Sequence, residues 1–581
     1  MKSRSALRGP KKNPGVNTEV TEGTKGLIRQ YPLFLRPLRD LRVHPGFLLG
    51  LTLCLAGCAH RTTNTGELRF TIASDPKTLN PLLVEDDSSE IVRYLTGGVL
   101  IRVNRKTQEN EPALATSWKV SKDGRQIDFE LRPNVEFSDG TPFTADDVVA
   151  TMKALMDPNL HSSTGDAFRS GNGKVSAESK GKYEVSVTFP KPVAGMERLF
   201  DQVAISPARM AGKGDASVVL GPFMLTDEKP GQYVLLKRNP YYWKQDSAGH
   251  QLPYLSAVRL YVLQNRDTEL LRFHQGDVQL INKLSPDLYE QLRAEDPSAA
   301  RDLGPSVESE ELWFNEVPRS PLPAYKKAWF RSRNFRRAIS MAINRGDLAR
   351  VAFRGHATAS VGLLSPANKF WFDQNLKPQA YDPRGALQLL QQDGFRRDGT
   401  TLKDAAGHPV VFSLITNSGN TTRERMGSLI QQDLQQIGIQ LNFVPLDFPS
   451  IAERITKTFD YESCLLGLTN VDLDPNGQMN VWLSSADLHQ WNPDQKTPDT
   501  PWEAEIDHYM RAQASSLDRA SRKKDFDKVQ EIVDDEQPML YLVDKNALVA
   551  VSPGVKGADP VVLTPETYWN VEYLSLDGNT R

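Results

Sequence analysis

The sequence predicts an α/β fold of more than one lobe, and three observations carry that prediction. The chain has 581 residues, too many for one ordinary hydrophobic core. Short stretches of strict apolar–polar alternation recur between stretches with helical spacing. Past the middle, Met426, Leu429, Ile430, Leu434 and Ile437 fall at helical spacing, Gly438 stops the run, and Ile439-Gln440-Leu441-Asn442-Phe443-Val444 alternates. Helix, glycine, strand is the αβ unit of an α/β lobe.

Composition narrows the class further. Apolar residues make up 39% and charged residues 24%, the balance of a globular protein. A formal net charge of −2 gives no electrostatic case for nucleic acid or an anionic membrane as partner. The cysteines are Cys54, Cys58 and Cys464. Two of them fall in or at the end of one apolar run, so neither a disulfide framework nor a cysteine zinc site is expected, and Cys464 reads as a small core residue.

Taken in order, the chain opens with a basic, irregular segment and an apolar run over residues 47–55. That run is far short of the ~20 residues a spanning helix needs, and its length fits the apolar region of a signal peptide. Leu55-Ala56-Gly57-Cys58 then resembles a bacterial lipobox. The resemblance implies a signal peptide over 1–57, cleavage before Cys58, a diacylglyceryl thioether on its sulfur, and a tether over 58–66. Several acyl chains make such an anchor stable, where one alone binds marginally.

The body opens on the alternating strand Leu68-Arg69-Phe70-Thr71-Ile72-Ala73 and a turn, Asp75-Pro76-Lys77-Thr78-Leu79-Asn80-Pro81. Asp123-Gly124 signals a hairpin, with Ile127 to Arg132 as its returning strand. Thr144 and Asp147 form a capping-box pattern ahead of a helical apolar face, Val148, Val149, Met152, Leu155 and Met156. Tyr183 to Phe189 alternates again. Late in the chain Val529, Ile532 and Val533 mark a helix that Pro538 ends, and 540–551 reads as a strand.

The order of these motifs resembles the family 5 extracellular solute-binding proteins, the oligopeptide- and dipeptide-binding components of bacterial ABC importers. The match runs from the first strand and turn through Glu111-Pro112-Ala113-Leu114-Ala115-Thr116-Ser117-Trp118 and Phe137-Ser138-Asp139-Gly140-Thr141-Pro142 into the 144–156 helix. It continues in Gly221-Pro222-Phe223, in Lys237-Arg238-Asn239-Pro240-Tyr241-Tyr242-Trp243, and in Leu252-Pro253-Tyr254-Leu255. Farther on come Gly276-Asp277-Val278, the segment Phe335 to Arg345, and Tyr381-Asp382-Pro383 with Ala386, Leu389, Leu390 and Gly394. Each motif alone is weak; in order, across essentially the whole mature chain, they are specific.

The resemblance implies a two-lobed periplasmic-binding-protein type II fold with mixed sheets and an extra domain. Lobe I would comprise 66–97, 206–310 and 541–581, the extra domain 98–205, and lobe II 311–540. It implies a monomeric binding protein that is not an enzyme and uses no cofactor. The protein would capture a peptide or other small solute between its lobes and pass it to ABC permease subunits, coupled indirectly to their ATPases. It would be held in the periplasm or at the cell surface by its lipid anchor. Sensing or chaperoning, and a non-peptide solute, are the alternatives.

No nucleotide-binding, zinc-hydrolase or serine-hydrolase motif interrupts this reading. Asp472, Asp474, Asn476 and Gly477 mimic the start of a calcium loop, but its closing position is Leu483 and Pro475 sits inside it. In peptide binders of the family this loop follows a strand with an Arg, a Trp and an Asp that pairs with the peptide ammonium group. Here Gly467 matches, while Leu465, Leu468 and Val471 stand at those three positions, so a peptide with a free amino group is not expected, which leaves an N-blocked peptide or a different solute. The ligand contacts implied are Gly467, Leu468, Thr469, Asn470 and Val471, the segment around Glu85, Asp86 and Asp87, and Tyr541. The acidic triplet reads equally as a cation attractor or a solvated loop, and Tyr541 as a pocket or a core aromatic. Trp118, Trp243 and Trp313 read as packing residues.

Overall fold

The computed structural model describes residues 66–168, 174–213, 215–469 and 473–577. Three sheets organise them. The first has four strands in the order Glu67–Ile72, Ala257–Val262, Tyr233–Arg238 and Phe223–Lys229. Its first pair is parallel and the rest antiparallel. Leu68, Phe70 and Ile72 are buried on one face, as the alternation requires. The second sheet is antiparallel, in the order Ala115–Val120, Gln126–Leu131, Glu184–Thr188 and Ser176–Gly181. Helix Ala145–Leu155 shares its core, burying Val148, Met152 and Leu155. The helix start follows the capping pattern, since the Thr144 N–H donates to the Asp147 carboxylate at 2.8 Å.

The third sheet has seven strands. Their order is Leu280–Ile281, Met539–Val551, Ala300–Phe314, Ser463–Thr469, Val411–Asn417 and Gln440–Leu446, with Ala357–Ala359 paired to Met539–Val551. Helix Thr421–Gln436 connects the parallel strands Val411–Asn417 and Gln440–Leu446. Gly438 ends that connection at φ +85°, where a Cβ would lie 2.8 Å from the Leu402 amide nitrogen.

Ala300–Phe314 and Met539–Val551 run antiparallel from one hydrophobic core into another. At one end Ala300 and Ala550 pack with Leu270, Phe273 and Leu292. At the other Leu312, Phe314, Leu540 and Leu542 pack with Phe335, Ile339 and Phe412. Their pairing shifts register between Asp302 and Pro305, between Pro305 and Ser309, and between Glu310 and Glu311. The segment Phe335 to Arg345 is anchored to the second of these strands from outside. Arg345 donates to the Tyr541 carbonyl at 2.8 Å, and the buried Arg336 donates at 3.1 and 2.9 Å to the carbonyl of Glu536, the last residue of the helix Arg519–Glu536 that precedes the strand. Cys464 is fully buried in the core on the other face of the sheet, with Trp313 and Met539.

Candidate ligand-binding site

The middle of the two long strands carries an unusual density of charge for a sheet interior. Side chains alternate between faces along a strand and share a face when directly opposed. Glu308 and Glu310 therefore lie on one face, Ser309 and Glu311 on the other. Opposite them, Asp544 is paired with Ser309 and Tyr541 with Glu311. Strand Ser463–Thr469 completes the layer, with Gly467 opposite Glu310 and Leu468 opposite Ser309.

On the Glu308 face every carboxylate has a cation. Lys283 contacts Glu308 at 2.7 Å, and Lys545 contacts Glu308 at 3.0 Å and Glu310 at 3.5 Å. Arg423 contacts Glu310 at 2.7 Å and donates to Asn417 at 2.6 Å. Burial works against the Glu308 charge, but Lys545 and Lys283 outweigh it and hold the carboxyl down at about 2. Gly467 is dictated by this network. A Cβ there would lie 2.7 Å from Arg423 Nη2, 2.8 Å from the Ser309 carbonyl oxygen and 3.0 Å from Glu310 Oε1.

Among the described residues no cation is in contact on the Glu311 face. Glu311 accepts from the Ser309 hydroxyl and, at 3.0 Å, from the Leu468 N–H. Burial pushes it up to about 8; those two donors oppose the shift, while the Glu310 charge adds to it. Asp544 is 1% exposed, and neither carboxylate oxygen accepts a hydrogen bond. Burial pushes it up to about 7, although the nearby Ser360 hydroxyl, itself 3.3 Å from the Gly362 carbonyl, favours the charged form. The Tyr541 phenol is held well above its usual range by burial first, then by Glu311 and Asp544.

Away from these strands, residues of the second-sheet region meet the segments that flank strand Ser463–Thr469. Gln108 donates to the Ala367 carbonyl at 2.6 Å and accepts from the Lys369 N–H at 3.0 Å. Asn476 donates to the Ala194 carbonyl at 2.9 Å. Gly195 lies beside the buried Asp474–Arg522 ion pair, whose shortest contact is 2.5 Å. That pair neutralises the Asp474 carboxylate the calcium-loop pattern would need. Among the described residues there is no group of three or more His, Cys, Asp or Glu arranged to hold a metal ion. No described helix is long and apolar enough to cross a membrane.

The model of the bacterial extracellular solute-binding proteins, family 5, matches residues 109–490. The chain belongs to this family. Family 5 proteins are the extracellular or periplasmic solute-binding components of ABC importers for peptides and related solutes, and they are not enzymes. A probable ABC transporter-binding protein of Deinococcus radiodurans is 25% identical over 85% of this chain and 89% of its own length. The oligopeptide-binding protein AppA of Bacillus subtilis is 23% identical over 85% and 88%. The glutathione-binding protein GsiB of Escherichia coli K12 is 25% identical over 92% and 99%.

Solved structures carry the same type II binding-protein fold. NikA of Brucella suis with Fe(III)-EDTA superposes with a TM-score of 0.74 at 22% identity, covering 88% of this chain and 100% of that one. AppA of Bacillus subtilis with a nonapeptide superposes at 0.66 and 22%, covering 88% and 98%.

Within this family 5 chain, the structure brings Leu468 and Tyr541 together at Glu311, while Gly467 faces the Glu310 side of the sheet. Thr469 ends the strand, its backbone opposite Glu308. Asn470 and Val471 lie outside the described residues, as does Cys58. The acidic segment leads into a helix, Asp87–Thr96. Asp86 is its N-cap, accepting from the Ser89 N–H at 3.0 Å and the Ser89 hydroxyl at 2.6 Å. Glu85 and Asp87 are exposed, and Asp87 acts electrostatically on Lys283. Glu311 and Asp544 were not singled out from sequence. The available signal was Asp544 at the end of the apolar run Met539 to Val543, and Glu311 directly ahead of Leu312-Trp313-Phe314.

Proposed function

We propose that this chain is the capture component of an ABC importer for a peptide or peptide-like solute, held at a membrane surface by a lipid on Cys58. One observation carries the solute site. Two strands pass between hydrophobic cores in a single sheet, and their midpoint carries buried acceptors beside the strand on which the family binds ligand. The relatives named for oligopeptide and glutathione binding, and the AppA structure with its nonapeptide, support a peptide-like solute.

In this reading the lobes are 66–97, 206–310 and 541–581 on one side and 311–540 on the other, with 98–205 as the extra domain. Bending falls at the register shifts of the two long strands, and the Gln108 and Asn476 contacts form the rim that meets on closure. Ligand main chain runs along 467–471, with Tyr541 on the floor and Glu85 and Asp87 at the mouth; Asp86 serves as a cap. A closed monomer then docks on its permease, whose ATPases supply the energy. Closure is driven only by contacts that ligand makes with both lobes.

The loss of Arg, Trp and Asp to Leu465, Leu468 and Val471 favours a second reading, a non-peptide solute. Native mass spectrometry of protein purified from its own envelope decides between them. A retained mass that fragments into amino acids is expected; a retained non-peptide species would overturn the peptide reading. The anchor is tested separately. Cys58→Ala should release the protein from membranes, with loss of the acyl mass on the mature amino-terminal peptide.

A further inference from the structure

One buried titratable side chain lies across the bend of the two long strands and has no part in the site described above. His356 precedes strand Ala357–Ala359 and has a carboxylate on each ring nitrogen: Asp302 lies 2.6 Å from Nδ1 and Glu290 2.5 Å from Nε2. Tyr289 packs on the ring, with centroids 4.6 Å apart. Of the other described histidines, His250, His274 and His408 each meet one carboxylate, and His489 meets a carbonyl and a carboxylate.

A neutral imidazole has one N–H, so it donates to one carboxylate and turns a lone pair toward the other. The imidazolium donates to both. Imidazole is also the side chain whose charge changes between pH 5 and 8. The hydrogen bond with His356 is the foremost cause that holds the Glu290 carboxyl below its ordinary range; burial opposes it, and Arg293, at 2.7 Å, adds to it.

The contact joins parts that the proposed lobes divide. Glu290 is on helix Pro286–Glu295, and Asp302 is on strand Ala300–Phe314 ahead of its first register shift, both within 206–310. His356 belongs to 311–540. On the same helix Asp287 contacts Arg354 and Arg425, also of 311–540. Burial opposes its charge, but the two arginines outweigh burial and hold its carboxyl below the ordinary range. Across this seam three carboxylates face two arginines and one histidine, a set that balances when His356 carries its proton. The other polar and charged groups around the ring are Arg301 beside Asp302, Asn546, which donates to both Asp302 oxygens at 2.9 and 3.1 Å, and Asp544 and Lys545, paired with Thr358 and Ala357.

We infer that His356 is a proton-operated clasp between the lobes. Charged, it ties Glu290 and Asp302 to lobe II and favours the conformation described here, in which Gln108 and Asn476 also bridge the rim. Neutral, it releases one carboxylate and frees the strands to bend. The inference rests on the proposed capture function and its lobe boundaries. A bond made in one conformation shifts the balance toward it. Solute and proton then favour the same closed form, so each strengthens the binding of the other.

The test is solution X-ray scattering on the mature protein without added solute, at about pH 5.5 and 8.5. The ratio of compact to open form should fall roughly tenfold between the two in wild type. His356→Gln should show the open form to the same extent at both, and Glu290→Gln should lose most of the difference. Asp544 is pushed up to about 7 and titrates in the same range, so Glu311→Gln/Asp544→Asn is the control and should keep the wild-type response. Melting temperatures show that each variant folds. A casein peptide digest added at the higher pH should restore the compact form.

A wild-type response copied by folded His356→Gln would overturn the clasp. So would a wild-type protein of one size at both pH values; if the digest still compacts it, capture between two lobes stands. A pH response that the digest does not reverse would keep the clasp and overturn capture of a peptide. One size under every condition would overturn the clasp and the two-lobe reading together.

Discussion

The two faces of one sheet treat the same chemical group in opposite ways. Glu308 and Glu310 sit among Lys283, Lys545 and Arg423, and Glu308 stays ionised. One residue along the same strand, Glu311 looks the other way, with Asp544 beside it, and both are driven toward the neutral acid. Glu308 keeps a fifth of its side chain exposed and has two lysines, whereas Glu311 and Asp544 are sealed and have none, so burial and the lack of a cation act together on the second pair. The paired carboxylates tie two strands to helix Thr421–Gln436 and to the segment that follows Leu280–Ile281.

The largest test of this contrast removes a cation from the paired face. Lys545→Met leaves two buried carboxylates short of charge and should cost about 3 kcal/mol in urea unfolding at neutral pH. A loss below about 0.5 kcal/mol would mean that the network is mere surface decoration.

The unpaired face should respond with the opposite sign. Folding raises the Glu311 pKa from 4.5 to about 8, so the folded state holds a proton that the unfolded state releases. That contribution is complete below pH 4.5 and is lost as pH climbs through 8. Relative to wild type, Glu311→Gln should gain on the order of 2 kcal/mol between pH 5 and pH 8.5 in ligand-free protein. A flat difference across that range would place a cation near Glu311 after all.

Between the faces, Gly467→Ala pushes a methyl group against the Ser309 carbonyl and the Arg423–Glu310 pair. It should cost about 1.5 kcal/mol, read as a shift in denaturation midpoint. Smallest is Asp86→Ala, which removes a helix cap outside the sheet and should cost about 1 kcal/mol. Solute affinity should stay within twofold if Asp86 acts as a cap alone; calorimetry on the retained ligand checks this.

Much of the fold was legible because its signals are local. Alternation located Glu67–Ile72 and Gln440–Leu446, and Gly438 marked the end of a helix–strand connection. The Thr144–Asp147 pattern anticipated a helix start that the structure contains. Cys464 was read as a core residue and is one.

The acidic site was not legible, for a physical reason. Glu311 and Asp544 meet only through the register of strands more than two hundred residues apart, and the shift between Glu310 and Glu311 skips Leu542 so that Tyr541 joins them on the same face. Read from sequence alone, Glu310-Glu311 looks like two surface charges. Asp86 misled in the other direction. A run of three acidic residues reads as a charged loop, yet the middle one is used by the backbone of its own helix.

The burial of Cys464 has a practical consequence. It is the sole cysteine after position 58, it lies in a sealed apolar core, and burial raises its thiol pKa far above the ordinary range. The thiolate is the nucleophile that attacks maleimides and thiol-directed spin labels, so the folded body is silent toward them. A cysteine placed at the exposed Glu109 and another at the exposed Lys369 would then be the reactive sulfurs of the body. Their separation, followed by paired probes, would report how far the molecule gapes when empty and how quickly it shuts on its cargo.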